Sequence, residues 1–75
     1  MVKVTLGYKR WMEYYPDGTI VFCDDVTLVR KIFTPLVYEG PEEIQRVKAM
    51  AVATQYAAEQ VAKSHDRCPK YAVQA

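Results

Sequence analysis

GPEEIQRVKAMAVATQYAAEQVAKSH, residues 40–65, decides the architecture of this chain. After Pro41 neither glycine nor proline occurs until Pro69, and six alanines between residues 49 and 62 raise helix propensity along the run. Pro41 suits the first helical position, Glu42 and Glu43 complement the positive end of the helix dipole, and Glu42 stands four residues before Arg46. The pattern predicts one helix over residues 41–65. At 1.5 Å per residue it would run about 37 Å, more than a small sheet needs to cover itself.

Wound at about 100° per residue, this helix carries two apolar stripes. Ile44, Val47, Met50, Ala51, Thr54, Ala57, Ala58, Val61 and Ala62 collect on a broad face, which is expected to lie on a sheet. Ala49, Val52, Ala53 and Tyr56 form a second stripe that interrupts the polar arc of Gln45, Lys48, Glu59 and Lys63. Something must cover that second stripe. Either the segment 26–33 or the tail around Tyr71 and Val73 folds over it, or a partner does, with alanines permitting close approach and Tyr56 serving as an amphipathic anchor.

Upstream of the helix the period changes to two. Val2, Val4 and Leu6 alternate with Lys3 and Thr5, the signature of a half-buried strand, and Gly7 marks a bend or bulge. Tyr8 to Cys23 reads as a hairpin, its two apolar and aromatic runs joined at Pro16-Asp17-Gly18-Thr19. Asp24-Asp25 is positioned to cap a short helix over Val26 to Phe33, although the β-branched residues there suit a third strand nearly as well. Thr34-Pro35 ends that element, Leu36 to Tyr38 is read as extended, and residues 69–75 form a tail. The expected fold is a single α+β domain over residues 1–75: a small antiparallel sheet, built from the hairpin and the N-terminal strand, packed against one long C-terminal α-helix.

Size and charge narrow the function. A chain of 75 residues buries only about 60% of its unfolded surface, which leaves little room for an enclosed substrate cleft. Ten Lys and Arg against nine Asp and Glu give a net charge of +1, too small for long-range steering toward nucleic acid or an anionic membrane. No apolar run reaches 18 residues and no signal-peptide pattern opens the chain, so a cytoplasmic protein without membrane contact is expected, with Cys23 and Cys68 kept as thiols.

Candidate chemistry is sparse. His65 and Cys68 have ligand-like spacing, yet with Cys23 they make fewer donors than structural zinc takes, so no metal and no cofactor is expected. The glycines, Gly7, Gly18 and Gly40, form no phosphate loop, and one histidine without an oxyanion pocket does not make a hydrolase. No catalytic residue is assigned. The expected function is non-enzymatic protein binding by a small inhibitor, adaptor or regulator, of which a phage or mobile-element regulator of a host machine is one concrete form. Its larger cytosolic target would be held through Tyr8, Arg10, Trp11, Tyr14 and Tyr15 of the hairpin and Ala49, Val52, Ala53 and Tyr56 of the helix. Two alternatives stand beside this reading: a single-stranded nucleic-acid module using Lys9, Arg10, Trp11, Tyr14 and Tyr15, weakened because on a strand Tyr8, Arg10, Met12 and Tyr14 share one face and Lys9, Trp11, Glu13 and Tyr15 the other, and a homodimeric subunit of a larger assembly.

Overall fold

The computed structural model describes residues 1–63. Four strands, β1 (Val2–Gly7), β2 (Arg10–Tyr14), β3 (Ile20–Asp24) and β4 (Val29–Phe33), form an antiparallel sheet in the order β1-β2-β3-β4. A 3-10 turn at Pro35–Val37 leads to α1 (Glu42–Lys63), which packs on β3, β4 and that turn. This is the α+β architecture that the sequence predicts.

Three local devices set the register. Between Thr5 and Gly7 the β1–β2 pairing shifts, as Gly7 invites, and the connection closes with Lys9 in the left-handed region at φ 53°. At the β2–β3 turn the Gly18 N–H donates to the Tyr15 carbonyl and Asp17 Oδ1 accepts from the Thr19 N–H. Gly18 has φ 94°, and a Cβ there would lie 2.9 Å from Pro35 Cγ and 3.0 Å from Arg46 Cγ, so only glycine fits. Arg46 Nη1 also donates to the Pro16 carbonyl, pinning this turn to the first turns of α1. Pro41 stands one residue before α1 and its carbonyl accepts from the Gln45 N–H, while Arg46 pairs with Glu42 as the i, i+4 spacing predicts.

The segment 26–33 is a correction. It is not a helix: Val29–Phe33 is the fourth strand, and Asp24 Oδ1 accepts from the Val26 and Thr27 N–H groups to cap a turn instead. The physical reason lies in β3, which is buried along its whole length and has backbone donors and acceptors that only a neighbouring strand on each side satisfies. Leu36 and Val37 are likewise not extended, since Pro35–Val37 is 3-10 and the Tyr38 N–H closes on the Pro35 carbonyl; Tyr38 itself is extended, as expected.

The helix face is a second correction. Ala49 and Ala53 are 0% exposed, Ala57 is buried beside them, and the Tyr56 ring meets Phe22 edge-on at 5.2 Å and Phe33 at 5.5 Å. The stripe assigned to a partner therefore lies largely on the sheet. Ile44, Val47 and Met50, expected beneath, are exposed, as is Val52 from the covered stripe's edge. The sheet supplies the bulk here, in Met12, Ile20, Phe22 and Phe33, so the helix approaches most closely through its smallest side chains. The expected helix end at Ser64-His65, the tail, and any role of Cys68 lie outside the described residues.

Candidate functional site: the open face of the sheet

Pairing fixes which side chains share a face. Arg10, Met12 and Tyr14 pair with Asp24, Phe22 and Ile20 on the helix side, whereas Trp11 pairs with Cys23 and Glu13 with Val21 on the opposite side. Arg30 and Ile32 extend those two outer rows onto β4, and Lys3 and Thr5 extend them onto β1. No other element among the described residues covers this outer face.

Glu13 organises it. Trp11 Nε1–H donates to one carboxylate oxygen at 2.9 Å and the Tyr15 hydroxyl donates to the other at 2.7 Å, so residues at i, i+2 and i+4 of one chain segment lock into a single array. These two bonds hold the Glu13 carboxyl below its ordinary value of 4.5, with Arg30 adding a smaller electrostatic pull. The same bond raises the Tyr15 phenol, because its proton is held by the carboxylate. Lys3 Nζ sits 4.5 Å from the centre of the Trp11 ring, and Arg30 Nη1 donates to Cys23 Sγ at 3.6 Å. Burial pushes the Cys23 thiol up and keeps it protonated, which makes it a poor nucleophile.

Beside this array a concavity of about 540 Å³ opens between Tyr15, Pro16, Asp17, Thr19, Val21, Arg30 and Ile32. Its floor is aliphatic, its wall aromatic, and its rim carries one acid and one base. A hydrogen bond from the Thr19 N–H holds the Asp17 carboxyl below its ordinary value, so the rim acid is ionised at neutral pH.

The residues assigned to the hairpin surface separate. Trp11 and Tyr15 come together on the outer face. Tyr14 contributes instead to the helix-side core, and Arg10 is 1% exposed, so neither serves a surface there. Tyr8 and Lys9 occupy the β1–β2 connection, where Lys9 Nζ lies 5.5 Å from the Tyr8 ring. The sequence does not point to Val21, Arg30 and Ile32, because segment 26–33 suits a capped helix at least as well as a strand; with 29–33 as a strand, the period-two rule places them beside Trp11 and Glu13.

A small four-stranded antiparallel meander backed by one helix, with an aromatic outer face, is the class that these features define. No family model, curated protein or solved structure matches the chain. Among the described residues no three His, Cys, Asp or Glu side chains are grouped to hold a metal ion, and no helix is long and apolar enough to cross a membrane.

Acid titration should report the Glu13 array directly, because Trp11 is the single tryptophan. A carboxyl whose folded value is depressed contributes stability above its unfolded value and loses it as pH falls through the folded value. Trp11 fluorescence is therefore expected to change with a midpoint below pH 4.5, and Glu13→Gln to abolish that transition. A midpoint at or above 4.5 would show that the array does not hold in solution.

Proposed function

We propose that the protein is a non-enzymatic binding module of the cytoplasm, an inhibitor, adaptor or regulator that holds a larger protein against the outer face of its sheet. The observation carrying this reading is the Trp11–Glu13–Tyr15 array beside the aliphatic concavity. Rings fixed by a shared carboxylate lose little freedom on binding, and Trp, Tyr and Arg are the side chains that dominate interface energetics. An apolar floor with a rim of both charge signs suits a protein surface better than a phosphate backbone. The nucleic-acid reading loses its platform, since Arg10 and Tyr14 face away from Trp11 and Tyr15.

The test is affinity capture from native host extract, with and without nuclease, using the wild type and Trp11→Ala. A protein partner that survives nuclease and binds Trp11→Ala at least about 30-fold more weakly, the equivalent of a hot-spot loss of about 2 kcal/mol, supports the reading. Recovery that vanishes with nuclease, or that is indifferent to Trp11→Ala while the variant's thermal melt is unchanged, rejects it.

A further inference from the structure

We infer that β1 is the seat of a two-fold homodimer, in which a second copy of this chain pairs antiparallel along its free edge and joins the two sheets into one. Among the described residues the sheet has two edges, β1 and β4, and they are not alike. β4 carries Arg30 and Lys31 in succession, a cation on each face, so two copies paired about its middle would set like charges opposite one another. β1 has no such guard. Its one charge, Lys3, lies on the outer face over the Trp11 ring, and on the helix side the strand presents Val2 at 62% and Val4 at 42% exposure.

Self-pairing of β1 is open in a register that opposes no like charges. Centred on Val4, antiparallel pairing sets Val4 against its own copy, Val2 against Leu6 of the second copy, and Lys3 against Thr5. A shift that centres the pair on Lys3 opposes two ammonium groups. Charge thus disfavours the Lys3-centred pairing, while the Val4-centred one opposes the most apolar side chains and gathers them on the helix side.

Among the described residues that side contains a groove of about 620 Å³ between β1–β2 and the C-terminal half of α1, lined by Leu6, Met12, Tyr14, Thr54, Ala58 and Val61 among others and by no charged residue. The exposed Val47 and Met50 continue the same apolar flank along α1. Pairing across the two-fold axis merges two such grooves and withdraws Val2 and Val4 from water. A standard interface takes about 800 Å² from each partner, roughly one-sixth of the 4956 Å² of surface here. Paired six-residue strands with three apolar side chains each supply less than that, so the dimer is expected to be reversible and concentration-dependent.

Sedimentation from about 1 μM to about 1 mM tests this on the full chain. The expected result is a mass that rises from one chain to two with concentration, and a Val4→Lys variant that stays monomeric throughout while keeping the wild-type melt at the lowest concentration. Val2→Lys gives the same readout should Val4→Lys fail to fold. Val29→Lys, on the β4 edge, is expected to dimerise like the wild type. A wild type that is monomeric at every concentration overturns the inference, whether the edge is then taken by the chain's own residues or by a foreign strand. So does a Val4→Lys dimer, or loss of the dimer in Val29→Lys.

Discussion

Asp24→Ala is expected to lose about 3–5 kcal/mol of folding free energy, the usual consequence of stranding a buried charge. Arg10 is among the most deeply buried large side chains, its Nε lies 3.7 Å from Asp24 Oδ2, and none of its three guanidinium nitrogens has a hydrogen-bond partner among the described residues. Asp24 is thus the counter-charge that makes this burial tolerable. Its other oxygen caps the β3–β4 turn through the Val26 and Thr27 N–H groups, so the alanine variant also loosens β4. Small domains have only about 5–15 kcal/mol in hand, which makes this single change large. The double variant Arg10→Met, Asp24→Asn removes both charges and keeps a turn acceptor; it is expected to recover most of the loss in chemical denaturation. A cost below about 1 kcal/mol for Asp24→Ala would mean that water reaches the guanidinium.

Ala53→Asp should be nearly as damaging, and Val52→Lys nearly silent. Ala53 touches the sheet with no exposed surface, so a carboxylate there must be buried unpaired among Met12, Phe22 and Phe33, at an effective penalty of several kcal/mol. Val52, its neighbour, is exposed, and lysine at that position changes stability by about 0.5 kcal/mol or less. Urea denaturation of the two variants separates the packed face of α1 from its free face. Equal destabilisation by both would show that α1 docks on a face different from the Ala49, Ala53 and Ala57 line.

The departures at α1 and at 26–33 share one cause, which is that periodicity records which residues are apolar and not what they meet. In α1 the bulkier stripe of Ile44, Val47 and Met50 carries the stronger hydrophobic signal. The sheet's aromatic and long aliphatic side chains nevertheless select the alanine line, because close approach depends on the smaller partner. At 26–33 an acidic pair before a periodic run has the form of a helix cap, but the unpaired edge of β3 demanded a strand, and that demand is long-range. What was legible locally held: the period-two run at 2–6, the Pro16-Asp17-Gly18 turn and the helix start at Pro41-Glu42 are each written within a few residues. Trp11, Glu13 and Tyr15 were legible as one strand face for the same reason. Their neighbours Val21, Arg30 and Ile32 depended on β4, and the burial of Arg10 depended on a partner fourteen positions away.

Strand β2 interleaves two messages in five residues and the one that follows. Arg10, Met12 and Tyr14 belong to the interior, while Trp11, Glu13 and Tyr15 belong to the outer array. A substitution at any of these positions alters one message and leaves the other readable. Deleting or inserting a single residue within Arg10–Tyr14 exchanges them wholesale, turning the indole inward and the Met12 thioether outward. A one-residue change in the length of β2 is therefore expected to cost more than any single replacement in it, whereas the connection at Gly7, where the register already shifts, is the place for a change in length.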